Sequence, residues 1–170
     1  NQKDNRGIIP NRVPIEKRPK IVSKRIRPGD IEVDFMMGKN HKGALLVMTD
    51  RATLHTSLHK LSNRRSETVS KAIIKKLEQA DYPMHTVTFD NDLGFANHNE
   101  VAEALNVDTY FTRPYTSQDK GTVENRIGQI RRFFPKKTDL SMVTVNQVKR
   151  VEQLLNDRLY RPLNFWTKQG

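Results

Sequence analysis

The chain contains no cysteine. Disulfides, thiolate zinc centres and cysteine nucleophiles are thereby excluded. No apolar run approaches the ~18 residues that a membrane span needs, and nothing resembles a secretory signal. Acidic residues are scarce: 19 Asp and Glu stand against 30 Lys and Arg, a net charge of +11. That imbalance points to a polyphosphate partner held through counterion release, although a ribosomal or merely soluble basic protein carries the same signature. A length of 170 residues leaves room for one compact domain plus an arm. The first residue is Asn1 rather than methionine, which reads as an excised or processed chain.

Residues 1–28 carry Pro10, Pro14, Pro19 and Pro28 among many basic residues. Each proline removes a donor and biases its predecessor toward extended backbone, so the segment reads as a non-helical linker or arm. The domain proper is expected over residues 29–170. Ile31, Val33, Phe35 and Met37 alternate with Glu32, Asp34 and Met36, the period of a strand with both carboxylates on one face. GALLVMT (43–49) is apolar enough to be buried on both faces, hence a central strand. A third strand is expected over Thr53 to Leu61, completing an antiparallel meander. Val69, Ile73, Leu77 and Ala80 then recur at helical spacing, with Ser66 as the expected N-cap. Thr86 to Asp90 and Asp108 to Phe111 read as short strands. Asn97 with Glu100, and Thr144 with Gln147, form capping-box patterns ahead of helices. Thr116 to Gly121 is polar and loop-like. Val123, Ile127, Ile130 and Phe134 make another helical stripe. The order βββαβαβαα predicts an α/β fold, a mixed five-stranded sheet with helices on both faces.

Three carboxylates stand out. Asp34 lies on the first strand, Asp90 ends TVTFDND, and Glu124 opens the helix in DKGTVENRIGQIRRFF. Between Asp34 and Asp90 lie 55 residues, and a further 33 separate Asp90 from Glu124. Each alone has an ordinary structural reading: a strand-face charge, a turn residue, a partner for the helix dipole. As a set converging in a basic chain they repel, and a divalent cation is the usual reason to tolerate that.

GDIEVD, LLVMTDR, TFDN, YFTRPYTSQDKGTVEN and RRFFPKKTDLS together resemble the catalytic core of IS30-type insertion-sequence transposases. That family sits within the DDE transposase and retroviral-integrase superfamily, whose fold is RNase H-like. The resemblance covers roughly residues 5 to 167. It implies that Asp34, rather than Glu32, is the first metal ligand, Asp90 the second and Glu124 the third. It also implies Mg²⁺, with Mn²⁺ able to substitute and two ions expected, and metal-dependent cleavage at DNA 3′ ends followed by strand transfer. The chain departs from the family pattern at Ile31, where tryptophan is common, in Asp92-Leu93-Gly94-Phe95, in the TSQDKG loop and at Ile127. Gly94 stands where a secondary acidic residue is usual.

Basic residues near the three carboxylates are candidate phosphate contacts: Arg113, Lys120, Arg126, Arg131, Arg132, Lys136 and Lys137. Asn91 and Asn125 adjoin two of the ligands as candidate supporting residues. His55 and His59 have zinc-like spacing only on a helix; on a strand four residues span ~13 Å. Tyr110, Phe111 and Tyr115 could stack on bases, but core packing competes for the first two. The expected partners are DNA and further copies of the chain, with no membrane and no small-molecule cofactor, in the bacterial cytoplasm near the nucleoid. Two other readings remain: a non-catalytic DNA-binding or assembly module with the same fold, and a related nuclease that only cuts.

Overall fold

The computed structural model describes residues 8–113 and 117–168, with side chains up to residue 157 except those of 117 and 118. A five-stranded sheet has the order β3-β2-β1-β4-β5, built from β1 (Asp30–Met37), β2 (Ala44–Asp50), β3 (Thr56–Leu61), β4 (Thr86–Phe89) and β5 (Asp108–Phe111). The first three strands form the expected antiparallel meander, and β4 and β5 add in parallel. The helices are α1 (Lys20–Ser23), α2 (Ser66–Leu77), α3 (His98–Leu105), α4 (Gly121–Ile130) and α5 (Val145–Lys168).

Two apolar cores follow from the period-two pleat. Ile31, Val33, Leu46, Met48, Val87, Phe89 and Phe111 face one way and bury Val69 and Ile73 of α2 and Val101 of α3. Met36, Leu45 and Val47 face the other way, against Val123 and Ile130 of α4 and Val148, Val151 and Leu155 of α5. Every residue of β2 is buried, as a central strand with covered faces requires. Phe89 touches both Phe95 and Phe111, at ring-centroid distances of 4.7 and 5.4 Å. These contacts hold down the end of β4 from which Asp90 emerges.

Local chemistry shifts several boundaries. The third strand starts at Thr56 rather than Thr53, because Asp50 Oδ1 accepts from the backbone of Ala52 and Thr53 and Leu54 has φ 64°. Ser66 is the first residue of α2, not its cap; Arg65 stands at the N-cap without a side-chain bond. Asn97 does precede α3, but at φ −87°, ψ 26° its side chain makes no capping bond. The Thr144/Gln147 box does form: Gln147 N donates to Thr144 Oγ1 at 3.1 Å, and Thr144 N to Gln147 Oε1 at 2.8 Å.

The arm was expected to contain no helix, yet it carries the single turn of α1 after Pro19. Proline is compatible there because the first turn of a helix needs no donor. The described part of the arm, from Ile8 on, is also bonded to the sheet. Phe111 N donates to Val13 O at 2.9 Å, and Ile9 and Val22 are buried. Gly29, at φ +105°, turns the arm into β1; a Cβ there would lie 2.2 Å from Pro83 O. His98, 2% exposed, fastens the arm at Pro10: Nε2 lies 2.6 Å from Pro10 O, and Nδ1 2.7 Å from Thr109 Oγ1.

Burial holds the His98 pKa below its ordinary value. The unfolded chain therefore takes up a proton near pH 6.5 that the folded chain refuses. The stability that neutral His98 contributes is present above that pH and is lost as the pH falls toward the folded pKa, by at most about 1.4 kcal/mol per pH unit. Urea unfolding at pH 7.5 and 5.5 is expected to show a larger acid loss for the parent chain than for His98→Gln. Equal losses would show that His98 is not the responsible group.

Candidate active site

The β1–β4 register puts Asp30, Ile31 and Glu32 opposite Thr86, Val87 and Thr88. Two residues further along, the same register brings Asp34 beside Asp90. Both lie on the face that α4 covers, opposite the face of Val33 and Phe89. Adjacent strands lie about 4.8 Å apart, so two carboxylates in this relation repel strongly. Burial pushes the Asp90 carboxyl above the ordinary aspartate range and the neighbouring Asp34 adds to it, while Lys120 opposes the shift.

Lys120 answers that repulsion. Its ammonium is 2.9 Å from Asp34 Oδ2 and 3.5 Å from Asp90 Oδ2, and its side chain is 5% exposed. It stands at the N-cap of α4, at the end of a 3-10 turn over Ser117–Lys120. Glu124 follows one helical turn later and is exposed. Among the described residues no three His, Asp or Glu side chains are gathered as a ready metal site. The arrangement is thus two carboxylates sharing one cation, with a third carboxylate on the next turn. Oxygen donors of this kind are the type that Mg²⁺ and Mn²⁺ prefer; here the Lys120 ammonium is the positive charge between them.

Asn91, next to Asp90, donates from Nδ2 to Thr112 O at 2.7 Å and accepts from Arg12 Nε at 2.5 Å. It fixes the turn after β4. Asn125 is exposed and lines a surface cleft of about 490 Å³ with Arg25, Thr122, Arg126 and Gln129. Phe35 and Phe95 stack at 4.5 Å beside Gly94, where a Cβ would lie 2.7 Å from the Phe35 ring. The stacked rings leave no room for an acidic side chain at that position.

The candidate phosphate contacts divide sharply. Lys120 is engaged by the two aspartates. Arg126 is 7% exposed and donates to Thr56 Oγ1 at 2.7 Å, Leu54 O at 2.7 Å and Gln129. Arg131 folds back onto Met37 O at 2.8 Å. These three cations bind the protein itself. Arg113 is exposed beside Asp119 at 3.0 Å and Glu16 at 3.7 Å. Arg132, Lys136 and Lys137 are exposed. His59 lies on β3 and His55 just ahead of it, with no metal cluster around them among the described residues. Tyr110 and Phe111 are core residues; Tyr115 lies outside the described residues. In the sequence Glu32 stood only as an alternative ligand. It is 0% exposed and paired with Arg51 at 2.8 Å. Its strand parity with Asp34 was visible; its buried cation was not.

The chain is 43% identical over 162 residues to the transposase of insertion sequence IS4351 from Bacteroides fragilis, covering 95% of this chain and 50% of that protein. It is 33% identical over 170 residues to the InsI transposase of IS30A from Escherichia coli K12, covering 98% and 44%. Over most of its length the chain is homologous to IS30-type transposases. It spans about half the length of these curated relatives. The transposase of IS1086 from Cupriavidus metallidurans matches at 32% identity over 95% of the chain and 48% of its own length. No family model matches the chain. Among solved structures, the catalytic core of BIV integrase superposes with a TM-score of 0.54 at 14% identity, over 76% of this chain and 82% of that one. A chain of the simian T-cell lymphotropic virus intasome, solved with PP2A regulatory subunit B56 gamma, gives 0.60 at 15%, over 75% and 48%. These likenesses establish an RNase H-like fold.

If Lys120 neutralises the aspartate pair, its loss leaves the pair dependent on added cations. Lys120→Met is expected to lower Tm in EDTA and to gain more Tm than the parent when Mn²⁺ is added. Identical Mn²⁺ shifts in differential scanning fluorimetry would contradict the shared-cation reading.

Proposed function

We propose that this transposase core carries out cleavage at DNA 3′ ends and strand transfer, with Asp34, Asp90 and Glu124 holding Mg²⁺ or Mn²⁺, two ions at full occupancy. The observation that carries the reading is the Asp34–Lys120–Asp90 arrangement, a cation already shared between carboxylates on adjacent parallel strands. Divalent ions supply Lewis acidity for in-line displacement at phosphorus. The protein's share is positional. Strands β1 and β4 fix two ligands and the first turn of α4 presents the third. With an ion held by the aspartates, Lys120 would no longer pair with them, and its ammonium would be available to a DNA phosphate.

The reaction has two displacements. A water oxygen attacks phosphorus at the element end, breaking its bond to the 3′ oxygen and freeing a 3′ hydroxyl. That hydroxyl then attacks a target phosphorus, whose bond to the target's own 3′ oxygen breaks, so that the strands are joined and a target 3′ hydroxyl is released. The carboxylates serve as ligands throughout, and no protein–DNA covalent bond forms. Exposed Arg132, Lys136 and Lys137, with Arg113, are the residues best placed to meet the DNA backbone, while Arg126 and Arg131 act within the protein. The partners are transposon-end and target DNA and further copies of the chain, which places the protein with DNA in the bacterial cytoplasm. Among the described residues no helix is long and apolar enough to cross a membrane.

Asp90→Asn and Glu124→Gln each remove a ligand charge at almost constant volume. Both are expected to abolish joining of a pre-cleaved end duplex to target DNA in Mg²⁺ while keeping the circular dichroism spectrum. Undiminished joining by either purified variant would refute its assignment. The Lys120 arrangement also suits a non-catalytic assembly module, which would bind DNA in the same assay and join nothing; a cut-only nuclease would nick target without joining.

The charge excess predicts DNA binding that weakens steeply with salt. Lys136→Ala with Lys137→Ala is expected to lower the slope of log K against log salt by about two, one for each phosphate that the variant no longer neutralises. Fluorescence anisotropy on end-sequence and scrambled duplexes measures it. An unchanged slope would place the DNA elsewhere.

A further inference from the structure

The arm reaches the residue two before each candidate ligand, twice directly and once through Arg51. Arg18 Nη1 donates to Thr88 Oγ1 at 3.0 Å, two residues before Asp90. Arg25 donates to Thr122 Oγ1, two residues before Glu124. Val22 O accepts from Arg51 Nε at 3.1 Å, and Arg51 Nη1 donates to Glu32 Oε2 at 2.8 Å, two residues before Asp34. The remaining Glu32 oxygen, Oε1, accepts from Val123 N at 3.2 Å. One buried carboxylate therefore ties β1 to the first turn of α4, and one arm segment ties β1, β4 and α4 to each other.

We propose that residues 18–25 of the arm, acting through Arg18, Arg25 and the Arg51–Glu32 pair, are positioning residues that hold the three ligand-bearing elements in the geometry a shared ion requires. The inference rests on the ion-binding reading of Asp34, Asp90 and Glu124. The physical ground is cost. Thr88 and Glu32 are 0% exposed, and Arg51 6%. Burial lowers the pKa of Arg18, with Arg51 adding to the shift, and burial likewise lowers that of Arg51. Placing two guanidiniums together beneath a sheet is expensive unless each is fully used. Here each bonds to elements distant in sequence: Arg18 and Thr88 are 70 positions apart, Arg51 and Val22 29, Arg51 and Glu32 19. An acidic site that repels itself gains most from such external bracing, because its own charges push the three elements apart.

The test uses the 170-residue chain with Arg18→Gln and Arg25→Gln, and Mn²⁺ as the probe. Three readouts are taken: the urea midpoint, Mn²⁺ affinity by electron paramagnetic resonance, and exchange of the Val123 amide. Loss of groups that orient ligands costs roughly tenfold or more in ion affinity. The expected result is that loss with a near-parental midpoint, faster Val123 exchange in Arg25→Gln, and recovery in Arg18→Lys and Arg25→Lys. Parental Mn²⁺ affinity and parental exchange in both glutamine variants would overturn the proposal. If the parent itself binds no Mn²⁺, the ion reading fails, and exchange alone decides whether the arm positions α4. If a glutamine variant unfolds, Thr88→Val and Thr122→Val remove the same bonds at nearly constant volume and decide by the same readouts.

Discussion

The repulsion between Asp34 and Asp90 is the constraint around which the rest of this domain is arranged. Parallel pairing of β1 with β4 aligns the two carboxylates on one face, and each takes a neighbouring backbone amide, Phe35 N on Asp34 and Asp92 N on Asp90, which offsets its charge only in part. Relief comes from outside the sheet, as Lys120 at the head of α4. The helix that supplies this cation also carries Glu124, so the same element can close the site in two ways. In the structure its lysine occupies the acidic pair; in the proposed ion-bound state its glutamate would join that pair instead. The geometry of α4 relative to β1 and β4 therefore decides what the site can do.

That geometry is secured by polar contacts in an apolar setting. Val123 and Ile130 seat α4 against Met36, Leu45 and Val47, but apolar packing alone is tolerant of small slides. Directional bonds are less tolerant. Glu32 accepts the amide of Val123, Arg126 spans to Thr56 and Leu54, and Arg131 reaches Met37. Cations that a basic composition suggests should face DNA are thus partly spent inside the protein. The exposed cations that remain are those left for the proposed DNA partner.

Much of this was legible in the sequence, for identifiable reasons. Alternation in Ile31–Met37 revealed β1 and its two faces, and an unbroken apolar run revealed β2, because pleat and burial write directly into residue order. The Thr144/Gln147 box was legible because both partners lie within one turn. Ser66 and Asn97 misled because capping depends on backbone angles that composition does not encode. The internal roles of Lys120, Arg126 and Glu32 were hidden for a different reason. A buried charge is marked by its partner, and the partners of Glu32 lie 19 and 91 residues away, while those of Lys120 meet only through strand register. The arm's brace was hidden likewise: four prolines announced an extended segment without announcing what it would press against.

Everything turns on whether the Lys120 seat between Asp34 and Asp90 is a metal seat. Anomalous scattering from a crystal of this chain soaked in Mn²⁺ decides it. A metal seat gives an anomalous peak within coordination distance of Asp34 and Asp90 carboxylate oxygens, with the Lys120 ammonium moved away from both. A site without anomalous signal at saturating Mn²⁺, with Lys120 still bonded to the two aspartates, would contradict it.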